Sequence, residues 1–436
     1  MGKKVFSLCM ALVLCLGLLP ATALAAAPSG QELYVGNVQI SSTGYWTTDS
    51  DGSVTQYTEE GTPSDNYIHY DKDNNTLTLH NATIKESVST DTSTFIAGAA
   101  IGVHNQNGAA ELTITLEGTN TIAEVGKGIY VLANSTGGAT LTITGDGSLD
   151  ASASQTGIWV QNNNGNGALF IQNAKVEATG TSYGVNVQSR ESSTASLTVD
   201  GGSLTASGSP GILYDSIGSG TVPNTTALTI SNSAIVDARG GGIGAGLLQD
   251  LKEVSPADES VGIVFGLDLS DSKAGAVYGD VTLQDNLTIG EDESLTIPEG
   301  SSLDASGKLT NEGTINVESG GSVSGKLSGG TTITTPTINA PPQDKKVQAG
   351  STAEFSVTAS AGEGEQLTYQ WQQKATVTES EWEDITNAIN ASYTTAPTTT
   401  DMSGYQYRCV VKSASGVSVI SSAATLTVTA LPEPEP

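Results

Sequence analysis

The stretch Gly138–Val160, GATLTITGDGSLDASASQTGIWV, contains one full repeat of the pattern that decides the fold of this chain. It holds three short segments of alternating character: Leu141-Thr142-Ile143, a segment centred on Leu149, and Ile158-Trp159-Val160. A period of two is typical of a β-strand, with the first and third residues of a triplet on one face and the middle residue on the other. The stretch therefore predicts three short strands separated by turns.

The same three segments recur along the chain in a constant order, mostly at steps of 27 to 29 residues. The first segment recurs as Leu77-Thr78-Leu79, Leu112-Thr113-Ile114, Leu141-Thr142-Ile143, Leu169-Phe170-Ile171, Leu197-Thr198-Val199 and Leu228-Thr229-Ile230. The second recurs as Ile101-Gly102-Val103, Ile129-Tyr130-Val131, Ile158-Trp159-Val160, Val185-Asn186-Val187 and Ile212-Leu213-Tyr214. The third is centred on Ile84, Ile122, Leu149, Val176, Leu204 and Ile235.

Three strands in each unit of about 28 residues are what one coil of a three-sided parallel β-helix requires. An antiparallel sandwich also has many short strands, but it does not keep one three-part order. The sequence therefore predicts an all-β chain with a parallel β-helix over residues 67–330. The general rule for parallel crossovers predicts a right-handed helix.

Both ends of the helix and its middle depart from this repeat. Residues 26–66 are predicted to cap the first coil, because an open end would expose unpaired strand edges. From Leu283 onward, apolar segments recur every six to eight residues, which predicts shorter coils with one strand on each side. The stretch Gly240–Asp280 fits neither rhythm, and Leu247–Lys252 within it is a candidate short helix.

Residues 1–25 have the features of an export signal: basic Lys3 and Lys4, the apolar run Val5–Leu19 and the small-x-small site Ala23-Leu24-Ala25. Without them, 15 basic residues remain against 46 acidic ones, a net charge near −31. Such a charge opposes binding to nucleic acid, and no later segment is apolar enough to insert stably in a membrane. We expect an extracellular or cell-surface protein.

Residues 336–430 resemble a bacterial immunoglobulin-like domain on two motifs, Tyr369-Gln370-Trp371 and Asp401–Cys409, DMSGYQYRC. The resemblance implies a β-sandwich with Trp371 in its core and Tyr407 in a tyrosine corner. Val357 stands where the partner of Cys409 would be, so Cys409 is expected to be a buried thiol. Residues 331–342 are predicted to be a linker and 431–436 a Pro/Glu-rich tail.

The opening of the helix has a resemblance of its own. Leu33–Val38, LYVGNV, and Asp73–Leu79, DNNTLTL, are similar to the opening of secreted β-helix proteins from gut bacteria. That resemblance implies a secreted or cell-surface role and little about chemistry.

The outward residues of the second segment form a column of Gly102, Tyr130, Trp159, Asn186 and Leu213. Tyr130 and Trp159 would lie on neighbouring rungs about 4.8 Å apart, beside the amide of Asn186. Aromatic faces and amides suit a sugar chain, so these three residues are the candidate carbohydrate-binding site. The alternative is that a turn such as Asn162–Gly167 folds over the rings.

No cofactor is expected. The three histidines, His69, His80 and His104, have no metal-ligand spacing. Asp71–Asn75 has the alternating oxygens of a calcium loop, but Thr76 and Ala82 occupy the positions of its glycine and its bidentate glutamate, so a solvated turn is favoured over calcium.

The first hypothesis for function is a non-catalytic adhesin or display scaffold that binds a host or dietary glycan or a host surface protein. The second is a carbohydrate-binding module that uses the aromatic column. The third is a polysaccharide lyase or glycoside hydrolase, since β-helices host both. Hydrolysis needs paired carboxylates, and a lyase needs a base with cations. The chain offers few bases or cations in residues 99–240 and no catalytic residue that we can assign, so an enzyme is disfavoured.

Overall fold

The computed structural model describes residues 25–190, 193–217, 225–246, 254–318, 320–326, 335–361, 366–375 and 381–431. Three sequence predictions lie outside these residues, almost entirely or completely: the export signal 1–25, the helix Leu247–Lys252 and the tail 431–436. Among the described residues the chain is built of strands, and the one helical segment is a 3-10 turn at Thr400–Met402. No described helix is long and apolar enough to span a membrane.

The N-terminal region is mostly antiparallel. Its strands are β1 (Glu32–Val35), β2 (Val38–Gln39), β3 (Gly44–Thr48), β4 (Val54–Gln56), β5 (Tyr67–Asp71), β6 (Thr76–His80) and β7 (Thr83–Ile84). β3 pairs with β4 and β5, and β5 pairs with β6, all antiparallel. β1 pairs antiparallel with the first strand of the region that follows, Ala99–Asn105. This region therefore covers strand edges that would otherwise be free.

The region that follows, the first stack, is made of parallel strands. They are β8 (Ala99–Asn105), β9 (Ala110–Glu117), β10 (Thr119–Ala133), β11 (Ala139–Thr144), β12 (Ser148–Asn162), β13 (Gly167–Gln172), β14 (Lys175–Thr179), β15 (Tyr183–Arg190), β16 (Thr194–Asp200), β17 (Ser203–Ser207), β18 (Ile212–Ile217), β19 (Thr225–Ser231), β20 (Ala234–Gly240), β21 (Ile243–Ala245) and β22 (Gly262–Phe265).

The three predicted segments of the repeat form three columns of parallel strands. The first column is β6, β9, β11, β13, β16 and β19. The second is β8, the ends of β10 and β12, β15, β18 and β21. The third is β7, the starts of β10 and β12, β14, β17 and β20. Burial alternates along many of these strands, as in β9, and the predicted inward residues form the core.

Three predicted equivalences between repeats are wrong. Leu77 lies beside Ile114 rather than Leu112. Ile122 lies beside Ala151 rather than Leu149. Both errors are shifts of two residues, which leave the same face inward, so alternation alone could not detect them.

The third error is a shift of one residue at Ile235. Val236, not Ile235, lies beside Leu204 and faces the first core. Ile235 points to the other side of the sheet, where a second core begins. A shift of one residue exchanges the two faces of a strand, and here it marks the change from one core to the next.

β22 joins the two cores, because both of its faces are buried. Val264 packs in the first core, and Ile263 and Phe265 pack in the second. β22 is parallel to β20 but antiparallel to the next strand, Ala274–Tyr278. Within the irregular stretch Gly240–Asp280, the strand direction therefore reverses at the same point at which the core changes to the other side of the sheet.

The second stack has shorter strands: β23 (Ala274–Tyr278), β24 (Asp280–Thr282), β25 (Leu287–Ile289), β26 (Ser294–Ile297), β27 (Ser302–Asp304), β28 (Leu309–Asn311), β29 (Thr314–Val317) and β30 (Ser322–Ser324). They form three parallel columns: β23–β26–β29, β24–β27–β30 and β25–β28. The short strands predicted from Leu283 onward are present, and they pair in parallel.

The C-terminal module consists of β31 (Thr337–Ala340), β32 (Lys345–Gln348), β33 (Glu354–Ser356), β34 (Thr358–Ser360), β35 (Thr368–Lys374), β36 (Glu383–Asp384), β37 (Ser392–Thr394), β38 (Gln406–Lys412), β39 (Val417–Ile420) and β40 (Ala424–Thr429). β31 pairs with β34, so the second half of the predicted linker is a strand of the module. β39 also pairs in parallel with β29 of the second stack.

Candidate functional site

The candidate sugar-binding column is in the predicted register. Tyr130 lies between Gly102 and Trp159, and Trp159 lies between Tyr130 and Asn186. Ile129 and Val131 on either side of Tyr130 are fully buried in the first core, which places the Tyr130 ring on the outer face of the sheet.

The two rings do not present their faces to solvent as the sequence predicted. The Tyr130 and Trp159 ring centroids are 4.7 Å apart with 21° between the ring planes, so the rings stack on each other. The spacing between neighbouring strands matches the distance at which aromatic rings stack. Each of the two rings therefore covers one face of the other. Tyr130 is only 5% exposed, and Trp159 is partly buried.

Part of the cover comes from an earlier segment of the chain. Tyr34, Val88 and Ile96 pack in one apolar cluster with Tyr130, and Trp159 lies against that cluster. Asn186 is 1% exposed, and its Oδ1 has no hydrogen-bond partner. A ligand approaching the outer face would therefore meet Trp159 but neither the Tyr130 face nor the Asn186 amide.

The polar atoms of both rings are bonded to side chains of the next rung. Tyr130 Oη donates to Gln161 Oε1 at 2.6 Å, and Trp159 Nε1 donates to Gln188 Oε1 at 3.0 Å. Gln188 Nε2 donates in turn to Asp215 Oδ2 at 2.9 Å. We call these five residues the outer ladder. Sequence reasoning missed its amides, although each lies two residues beyond an outward residue and so shares its face.

Lys127 places an ammonium group beside the two stacked rings. Its Nζ lies 5.4 Å from the Tyr130 ring centroid and 5.9 Å from that of Trp159, and it donates to the Ala97 carbonyl at 2.9 Å. Burial lowers the pKa of the Lys127 ammonium, because desolvation disfavours the charged form. An ammonium over aromatic rings with a carbonyl on one side can also attract an anionic group.

Two of the histidines are held by carboxylates at separate places. His80 Nδ1 lies 3.1 Å from Glu117 Oε2, and His104 Nδ1 lies 3.5 Å from Glu32 Oε2. His69 stacks on Tyr45 with ring centroids 4.3 Å apart. The described residues contain no group of three or more His, Cys, Asp or Glu side chains that could hold a metal ion.

The Asp71–Asn75 loop forms a closed turn. Asp71 Oδ1 accepts the Asp73 backbone N–H at 3.0 Å, and Asn74 Nδ2 donates to Asp71 Oδ2 at 2.6 Å. The hydrogen bond from the Asn74 side chain lowers the pKa of the Asp71 carboxyl. Both carboxylate oxygens are thus engaged within the loop, in the arrangement of an Asx turn.

The three predicted core residues of the C-terminal module are fully buried. Trp371 lies beside Cys409 in the pairing of β35 with β38, and the Tyr407 ring stacks on Phe355 with centroids 4.5 Å apart. Tyr407 Oη has no hydrogen-bond partner in the described structure, so the bond that defines a tyrosine corner is not formed there. Cys409 is a free buried thiol, as expected, and burial raises its pKa to about 12.

Comparison with known proteins finds matches to the C-terminal module. Residues 337–430 match a family model described as a domain of unknown function, DUF8696. No curated protein matches the chain.

Several solved structures are similar to a minor part of the chain. Titin domain M7 is 27% identical over 22% of this chain and 97% of its own, with a TM-score of 0.17. The titin M10–obscurin-like 1 Ig complex is 16% identical over 23% and 99%, with a TM-score of 0.18. Rst D1-D2 is 22% identical over 23% and 51%, with a TM-score of 0.17. The described residues are all-β with large parallel sheets, and the structural neighbours of the chain are immunoglobulin-like.

Proposed function

We propose that this chain is a non-catalytic bacterial protein of the cell surface or extracellular space, an adhesin or display scaffold, built on a right-handed parallel β-helix. The constant order of three parallel columns supports the helix, and the general hand of parallel crossovers supports its right-handedness. Strand direction and core side reverse together at β22, so the second stack would wind with the same hand as the first.

The outer ladder carries the scaffold proposal. Its side chains are hydrogen-bonded to one another: Tyr130 to Gln161, and Trp159 through Gln188 to Asp215. Side chains tied in this way form a rigid surface rather than a cleft with facing carboxylates. Such a surface suits the display or binding of an extended partner. The export signal in residues 1–25 and the acidic composition support a location outside the cell.

Glycan binding at this surface is the second candidate function. Trp159 is the partly exposed aromatic residue of the ladder, and the Lys127 ammonium lies beside it. A ring edge with amides and an ammonium can contact the apolar face and hydroxyls of a sugar, and an acidic sugar would gain from Lys127. Host or dietary glycans, or a host surface protein that carries them, are the proposed partners.

A glycan and mucin binding screen on residues 26–436 tests this proposal. If the ladder binds, Trp159→Ala should weaken binding about 3- to 10-fold, the range expected for one aromatic contact. Phe170→Ala is the matched control, since Phe170 is a partly buried outward aromatic residue on the first column. Equal binding by both variants would exclude Trp159 as a contact.

The enzyme alternative is tested on the same preparation. Release of new chain ends from pectic, mucin or plant glycans would contradict a non-catalytic role, provided that substitution of a carboxylate pair abolishes the release. We expect no release above that of a heat-denatured sample.

A further inference from the structure

The C-terminal module and the second stack share a strand. β39 of the module pairs in parallel with β29, so that Ile315 lies beside Val417 and Val317 lies beside Val419. On its other side, β39 pairs antiparallel with β38 of the module, with Val411 beside Val419. The last rung of the stack is therefore contributed by the module.

The two valines of β39 belong to the core of the stack rather than to that of the module. Val417 and Val419 are 0% and 7% exposed, and both pack in the second core with Ile315 and Val317. The module has a separate core around Trp371. Because β39 is hydrogen-bonded to β38 of the module while its valines lie in the core of the stack, no flexible joint separates the module from the stack at this strand.

Further contacts lie beside the shared strand. Asn311 Nδ2 points to the Ser415 carbonyl at 3.5 Å, at the end of the neighbouring column. A Cβ at Gly416 would lie 2.5 Å from Asn311 Nδ2, so a side chain there would displace the Asn311 amide from the Ser415 carbonyl. The loop before β39 is thus shaped to the end of the stack.

From these contacts we infer that the immunoglobulin-like module is the C-terminal cap of the second stack, rather than a head displayed on a linker. The end of a parallel stack exposes a row of unpaired backbone groups and the apolar side chains of its last rung. β39 satisfies the edge of β29, and its two valines cover Ile315 and Val317. The cap assignment does not depend on any ligand of the outer ladder.

Cysteine pairing in the full chain tests the cap. Asn316 and Ser418 lie side by side in the parallel register, and neighbouring strands bring Cα atoms within the range of a disulfide. In a Cys409→Ala background, Asn316→Cys with Ser418→Cys should oxidise to an intramolecular disulfide in the monomer. The control pair, Asn316→Cys with Ser422→Cys, places the second thiol about 13 Å farther along the chain.

A cap and a mobile head on a linker predict different ratios of the two disulfide-formation rates. A cap predicts that the first pair closes at least about tenfold faster than the control, because only it is held in register. Ser422 is exposed and Ser418 is buried, so a mobile head would close the control pair at least as fast. Equal rates, a faster control, or failure of both pairs would overturn the cap assignment.

Hydrogen exchange gives a second test that does not require a disulfide. Val419→Asp should raise amide exchange in Thr314–Val317 at least about tenfold, while β35 and β38 stay protected. Thr427→Asp, an exposed position on β40, should leave both regions unchanged. Unchanged exchange in Thr314–Val317 in Val419→Asp, with the module still folded, would also overturn the assignment.

Discussion

Gly157→Ala should destabilise the first stack although it adds a single methyl group. Gly157 opens the second segment of its repeat, and a Cβ there would lie 2.7 Å from the Gly184 carbonyl oxygen, 2.8 Å from the Thr179 nitrogen and 2.9 Å from the Ala151 oxygen. All three are backbone atoms, so no side chain can rotate away. The glycines at equivalent places are crowded by backbone as well: Gly184 by three backbone atoms within 2.8 Å, and Gly128 by the Gly157 carbonyl oxygen at 2.4 Å.

The size of the effect follows from these distances. Ordinary Cβ contacts begin near 3.4 Å, so the neighbouring backbone must move by about 0.5–0.7 Å on three sides. Overpacking of a core costs about 1–3 kcal/mol, and a clash with backbone alone belongs at the upper end. For a unit of this size, a loss of about 3 kcal/mol lowers Tm by roughly 6–12 °C.

Calorimetric unfolding of the full chain measures the change. Gly290→Ala is the matched control, because a Cβ at Gly290 would meet only side-chain atoms of Glu293, at an ordinary contact distance of 3.4 Å. We expect the control to shift Tm by less than about 2 °C. A Gly157→Ala protein with the same Tm as the control would refute the crowding argument and the backbone geometry at this corner.

Three further predictions concern the core, the thiol and the outer ladder. Leu169→Ala should cost about 2–5 kcal/mol in urea denaturation, because its side chain is fully buried, whereas Phe170→Ala on the outward face should cost far less. Burial raises the pKa of Cys409 from 9.0 to about 12, so above pH 9 the unfolded chain loses a proton that the folded chain keeps. The Cys409 contribution to the free energy of unfolding should therefore be at its full value below pH 9. Toward pH 12 it should decrease by up to about 1.4 kcal/mol per pH unit, and Cys409→Ala should remove this part of the pH dependence. Stopped-flow reaction with a thiol reagent should likewise be slow in the native protein and fast in urea; rapid native labelling would contradict burial. Gln188→Ala should red-shift Trp159 fluorescence by loosening the indole, with Gln172→Ala as an exposed-face control, and identical spectra would argue against the bond to Trp159 Nε1.

Much of the fold was accessible from sequence because the first stack is a repeat. A fixed order of period-2 segments predicted three parallel columns, and the register of Leu141 with Leu112 and Leu169 agrees with it. The errors at Leu77 and Ile122 arose where a shift of two residues keeps the inward face. Buried Trp371 and Cys409 were equally predictable, since short motifs fix their places in a sandwich.

The candidate site was predicted less well. Sequence alternation placed Tyr130 and Trp159 on one outer face, and they do lie side by side. It could not show that the rings stack on each other, or that Tyr34 and Ile96, distant in sequence, pack over one of them. Exposure depends on which distant segment comes to lie on a face, and no local pattern records that.

By itself, the sequence determined the alternation of inward and outward residues, the three-part repeat and the shorter second rhythm, because these follow from local periodicity and from like residues stacking on like. Only the tertiary structure decided how the parts join. β22 buries both faces and turns the chain from one core to the next, and Val417 and Val419 complete the second core instead of that of their own module. A buried valine has the same local pattern in either core, and its partners are fixed only when separate segments meet in space.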